Sequence, residues 1–206
     1  MEKSSQTDKV AYAQYCGYVE EAARLLRGYK VPLPISSSLC EQLAKSYAPP
    51  FEAMAGETVL ELPIVWKFRI DPNGEGEKNS WPQTKEMDEN WKEIRTDSSW
   101  TEQKFPGSYH GTAWYVTDFE VPEKVAGKLW LLFGAIDGDS WFWINGKPAG
   151  RGASPPAVAW DKPFGLDVTN LAIKGQRNRI VVKVHKDLYG AGIWKPVKLM
   201  EVKHKP

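Results

Sequence analysis

Two hydrophobic rhythms divide the chain. In its first part Tyr12, Tyr15, Val19, Ala22, Ala23, Leu26 and Tyr29 recur at three- and four-residue spacing, an apolar stripe along one helix face. Gly28 and the turn Pro32-Leu33-Pro34 stop that helix. Ser38 and Glu41 stand at capping-box spacing and predict a second short helix to about Tyr47, ended by Pro49-Pro50. From Thr58 the pattern becomes extended, through Val59, Leu60, Leu62, Ile64, Val65 and Phe68. Ile180, Val182 and Val184 alternate with Val181, Lys183 and His185, the period of a strand with two unlike faces. Strands are predicted over 129–135, 141–144, 179–185 and 196–202, separated by Gly, Pro and Asn clusters. With no long helix between them, they predict an antiparallel sandwich. Residues 140–146, Ser-Trp-Phe-Trp-Ile-Asn-Gly, run an aromatic strand into Asn145-Gly146, the residue pair of a type I′ hairpin turn. Long loops are expected over 71–90, 97–112 and 146–163.

These segments form an ordered series. It runs from Gly111-Thr112-Ala113-Trp114-Tyr115 and Val121-Pro122 through the 140–146 strand and turn to Asp161-Lys162-Pro163-Phe164 and Asp167-Val168-Thr169. It closes with residues 178–184 and Gly192-Ile193-Trp194-Lys195-Pro196-Val197. The series resembles the sugar-binding-type jelly-roll domain of family 2 glycoside hydrolases. Upstream, Trp66-Lys67-Phe68-Arg69, Asp71-Pro72, Gly76, Trp81, Trp91-Lys92 and Trp100-Thr101-Glu102-Gln103 fit the same relatives, so the resemblance covers about residues 60 to 202. It implies a mainly β fold, an antiparallel galactose-binding-like jelly-roll sandwich, here over residues 56–206. A short N-terminal helical segment over residues 1–55 precedes it and is read as the tail of a preceding domain. The resemblance also implies a domain that accompanies catalysis or binds sugar, because the paired carboxylates of such enzymes sit on a separate barrel domain.

Composition narrows the partners. The 206 residues carry a formal net charge of +1, with lysines interleaved among acidic residues. That balance argues against nucleic acid and against an anionic membrane surface. No apolar stretch has the length of a membrane span, and no positively charged start followed by an apolar run marks a signal peptide in the given sequence. An extracellular or periplasmic location is favoured if such a signal has been removed. Cys16 and Cys40 are either two buried thiols or a disulfide joining two helices. Ten tryptophans are the compositional extreme, suited both to sandwich cores and to sugar-stacking faces.

Candidate chemistry lies in the loops. Neither a nucleophile elbow, a phosphate loop nor a zinc-protease motif is present in the sequence. The chain alone is therefore expected not to catalyse, and the resemblance implies a parent protein that is a family 2-like glycoside hydrolase. A sugar ring needs an aromatic face beside polar partners. Trp160 and Tyr189 supply rings, and Asp187 approximates an acidic position that touches substrate in some relatives. Arg151, in a loop of small residues, suits an acidic sugar, and His110 completes the candidate carbohydrate-binding set. Trp114, Trp130, Trp141, Trp143 and Trp194 are expected to belong largely to the sandwich core, although Trp141 and Trp143 share one strand face and would form a platform if that face were solvated. Asp71, Asn73 and Glu75 alternate with Pro and Gly, a candidate structural calcium site whose alternative is a solvated acidic turn. No cofactor is otherwise required. The leading function is carbohydrate binding, and its alternative is a structural accessory domain buttressing a neighbouring catalytic barrel.

Overall fold

The computed structural model describes residues 56–104, 106, 108–152, 160–161, 163–187 and 191–202. The N-terminal segment expected to be helical, with its two cysteines, lies outside the described residues. The described chain forms ten strands: β1 (Glu57–Glu61), β2 (Val65–Ile70), β3 (Lys92–Arg95), β4 (Gly111–Glu120), β5 (Lys128–Asp137), β6 (Asp139–Ile144), β7 (Lys147–Gly152), β8 (Phe164–Asp167), β9 (Arg177–Lys186) and β10 (Gly192–Val202). They make two antiparallel sheets, one ordered β1-β10-β5-β8 and the other β3-β2-β4-β9-β6-β7. The jelly-roll sandwich read from the sequence is the fold.

The alternation of side chains explains the packing. Leu129, Leu131, Phe133 and Ala135 of β5 point inward to meet Ile180, Val182 and Val184 of β9, all buried. Phe142 and Ile144 fill the same layer from β6, with Phe133, Phe142 and Phe164 in mutual ring contact. Among the tryptophans of the described residues, only Trp66 and Trp100 belong to this inner core.

The expected core placement of the strand tryptophans needs correction. Trp114 is fully buried, but on the outer face of the six-stranded sheet, in a second cluster with Trp81, Trp91, Val116 and Val181. Trp81 and Trp91 come from the segment between β2 and β3, which folds over that face and dries it. β4 is thereby buried on both faces, which hides the outer Trp114 from a one-sided reading. Trp143 packs on Trp114 with ring centroids 5.4 Å apart.

The Asn-Gly hairpin forms as read. Asn145 and Gly146 have φ of 51° and 76°, and Ile144 pairs with Lys147 across the two-residue turn. The expected loop over 146–163 is different in its first part, which is the edge strand β7. Its residues, Lys-Pro-Ala-Gly-Arg-Gly, are poor strand formers. They are extended because β6 templates them on one side, and Pro148 is tolerated at an edge.

A guanidinium clamp holds the covering segment at the turn end. Arg179 donates from Nε and Nη2 to Asp118 at 2.7 and 3.0 Å, and from Nη1 to the carbonyls of Thr84 and Lys85 at 2.9 and 2.7 Å. Arg177 adds a third bond to Asp118 at 2.6 Å. Burial pushes the Asp118 carboxyl up, but the two guanidinium groups outweigh it and leave it below its ordinary value of 3.8. A depressed folded-state value contributes stability above the unfolded value and loses it as pH falls through the folded one. Acid unfolding is therefore expected to be partly driven by this site, and Asp118→Asn to flatten the fall of stability below about pH 4. Urea titrations at stepped pH check this, an unchanged slope being the contrary result.

Candidate functional site

Strand register gathers the loops at one end of the sandwich. Gly111 at the start of β4 pairs with Lys186 at the end of β9, and Asp139 at the start of β6 pairs with His185. Ser140 pairs with Gly152, and Gly192 at the start of β10 pairs with Asp137. The segments carrying His110, Arg151, Trp160 and Asp187 therefore converge here, although they are up to 77 positions apart in sequence. Tyr189 lies outside the described residues.

The aromatic element is a pair. Trp160 stacks on Trp194 with ring centroids 5.3 Å apart and planes 21° from parallel. Trp194 Nε1 donates to the Trp160 carbonyl at 2.8 Å, so backbone and ring are held together. Lys195 reaches across, its Nζ 4.4 Å from the Trp194 ring centroid and 3.0 Å from the Asp161 carbonyl oxygen, to which it donates. Trp160 remains 45 % exposed. Trp194 faces outward because β10 shifts register between Ile193 and Lys195, a bulge that re-aims its side chain.

Further polar groups lie at the same end of the sandwich, on the outer face of the six-stranded sheet. Arg151 lies opposite Trp141, its guanidinium carbon 4.9 Å from the ring centroid and its Nη2 3.5 Å from an Asp139 carboxylate oxygen. Lys183 approaches the same ring to 4.1 Å and pairs with Glu77. Trp141 thus carries two cations and offers no open stacking platform, which answers the question left by the Trp141/Trp143 face. His185 contacts Thr112 Oγ1 through Nδ1 at 2.9 Å and Asp187 through Nε2 at 3.1 Å, placing an exposed carboxylate at the rim. Asp137 is buried beside Lys186, with 2.6 Å between carboxylate and ammonium. Its burial raises the carboxyl above the ordinary value despite that partner. His110 is exposed just before β4. Reading the sequence misses Trp194, Asp139, His185 and Thr112 as site neighbours. Asp139, His185 and Thr112 join through strand pairing, and Trp194 through its stack on Trp160.

The 71–77 turn has a different arrangement. Asp71 is buried, and its carboxylate accepts the N–H groups of Glu75 at 2.7 Å and Gly76 at 3.0 Å and the Trp114 indole N–H at 2.9 Å. Asn73 and Glu75 are exposed. Among the described residues no three His, Cys, Asp or Glu side chains converge as a metal-ligating set. Nor, among them, is any helix long and apolar enough to cross a membrane.

Comparison with known proteins agrees with this architecture. The chain is 25 % identical over 142 residues to a β-glucuronidase of Paenibacillus borealis, a match covering 63 % of this chain and 21 % of that protein. In fold it is similar to the β-glucuronidase of Ruminococcus gnavus in complex with D-glucuronic acid, with a TM-score of 0.59 and 22 % identity, over 69 % of this chain and 29 % of that one. The same enzyme in complex with uronic deoxynojirimycin gives a TM-score of 0.60 at 21 % identity, over 72 % and 29 % of the two chains. No family model matches the chain. The chain spans about a fifth of the curated relative and under a third of the solved ones. Its resemblance to the jelly-roll domain of family 2 glycoside hydrolases thus holds in sequence and in fold.

Proposed function

We propose that this chain is a non-catalytic carbohydrate-binding domain of a larger glycoside hydrolase, and that it holds sugar at the loop end of the sandwich. The half-exposed Trp160 ring, braced on Trp194 with the Lys195 ammonium held beside the stack, is the observation that carries the reading. A ring fixed from behind loses little freedom when a sugar stacks on it. Lys195 beside the stack is a donor for a sugar hydroxyl, and Arg151, Asp139, His185 and Asp187 gather on the six-stranded sheet at the same end of the sandwich. The partial likeness to β-glucuronidases supports placing the domain within a hydrolase.

A glycan array probed with the full chain tests this, using galactans, glucuronic-acid polymers and sulfated glycans. Binding is expected, and Trp160→Ala is expected to weaken it by about 2 kcal/mol, about thirtyfold in Kd. A folded chain that binds no glycan contradicts the reading and leaves the buttressing role.

A further inference from the structure

The sandwich has a concavity at the end away from the stacked tryptophans. There Ile144 pairs with Ile180 and with Lys147, and Glu120 pairs with Arg177. Because β4 and β9 each run ten residues, this end lies roughly 30 Å from the loop end, the length of such a strand. An open cleft of about 600 Å3 occurs here, within the size range of small-ligand sites. Its walls come from the 82–85 segment, the Asn145-Gly146 turn and the start of β9.

The floor of the cleft is fixed. The Asn145 amide donates to Leu171 O and Asn178 Oδ1 while its oxygen accepts Arg179 N–H, and buried Asn178 donates to Ile173 O and Gln176 O. Gln83 Nε2 donates to Gly146 O at 3.0 Å and pins the far wall. Charge is lopsided: Lys85, Lys147, Arg177 and Arg179 line the cleft against a single carboxylate among the described residues, Asp118. Both arginines already bond Asp118, so it is neutralised. Lys85 and Lys147 are exposed with no ion-pair partner among the described residues, and the Arg177 side chain is 70 % exposed. In a chain with net charge of only +1, this is a local positive field.

We infer that this cleft binds a carboxylate- or sulfate-bearing oligosaccharide, with Arg177, Lys147 and Lys85 gripping the anion. The acceptors in the cleft decide between anion types. The Asp118 carboxylate and the Gln83 side-chain amide line the cleft together with the cations, so a ligand that carries hydroxyl donors beside its anion finds partners for both. A sugar carries hydroxyl donors beside its anion, whereas inorganic sulfate and the side chains of an acidic peptide carry acceptors only. Among the described residues no aromatic ring lines the cleft, so the recognition is polar and does not rest on ring stacking.

Calorimetric titration of the full chain at low salt tests this with tetragalacturonate, a sulfated chondroitin disaccharide, uncharged galactotetraose, inorganic sulfate and a tetraglutamate peptide. At least one anionic sugar is expected to bind about tenfold or more tighter than galactotetraose, sulfate and tetraglutamate, and to weaken as salt rises. The uronate and sulfate arms tell which anion is preferred. Lys147→Ala combined with Arg177→Ala is expected to remove that preference with the circular dichroism spectrum unchanged. Trp160→Ala is expected to leave it intact, so failure of the loop-end reading and failure of this one are distinguishable. Equal binding of tetraglutamate, equal binding of sulfate, no preference over galactotetraose, or a preference untouched by the double substitution would overturn the inference.

Discussion

Gly192→Ala is expected to destabilise the sandwich by about 2–6 kcal/mol, combining overpacking with backbone strain. Gly192 opens β10 with φ of 99°, a backbone conformation that residues with a Cβ rarely adopt. A Cβ placed there would lie 2.1 Å from the Tyr115 hydroxyl and 3.1 Å from the Trp100 ring. Neither neighbour can retreat, because Tyr115 and Trp100 are fully buried in the inner core and Trp100 is also tied through Nε1 to the Tyr109 carbonyl. Tyr115 Oη makes no hydrogen bond, and burial holds its phenol far above the ordinary value. Tyr115→Phe is therefore nearly neutral, within about 1 kcal/mol, and relieves the clash while leaving the φ strain. In a double-substitution cycle the two changes are expected to be coupled, with Gly192→Ala costing less when Tyr115→Phe is already in place. Urea unfolding of the four proteins measures this, and additive costs would show that the contact does not matter.

Trp114→Ala is expected to cost about 3–5 kcal/mol, the range for removing a buried aromatic ring. The indole does three things at once. It meets Trp81 at 5.8 Å and Trp143 at 5.4 Å between ring centroids, closing the outer cluster. Its N–H bonds the buried Asp71 carboxylate, which also gathers the Glu75 and Gly76 amides. Its ring leaves no space beside Gly76, where a Cβ would approach to 2.5 Å. Loss of the ring thus frees the covering segment as well as opening a cavity. Limited proteolysis is expected to cut the variant within residues 71–91, and the native chain far more slowly. Equal cleavage of both would show that Arg179 and the backbone hold the segment without the tryptophan.

Local requirements are legible in this sequence, and long-range ones are not. Asn145-Gly146 is legible because the need for positive φ at both positions is local. The β9 alternation is legible because Ile180, Val182 and Val184 share a buried face. Trp114 escapes a correct placement because its outer face is covered by a loop that contacts it across 43 positions of sequence. The same distance separates Asp71 from the indole that uses its carboxylate, so the oxygen-rich 71–75 pattern carries no sign of that bond. β7 is invisible because its order comes from β6 rather than from its own residues. At the loop end, Trp160, Arg151 and Asp187 are legible as residue types suited to sugars. Trp194 reads as core because the bulge that turns it outward is set by pairing with β5.

Sugar binding at the loop end is tested most directly by following the indole N–H signals of the 15N-labelled full chain during titration with galactan and glucuronic-acid oligosaccharides. The Trp160 and Trp194 signals, assigned by single Trp→Phe substitutions, are expected to shift together and saturably while those of buried Trp66 and Trp100 stay in place. Titration by every oligosaccharide without movement at Trp160 and Trp194, or saturable movement confined to other tryptophans, would contradict binding there.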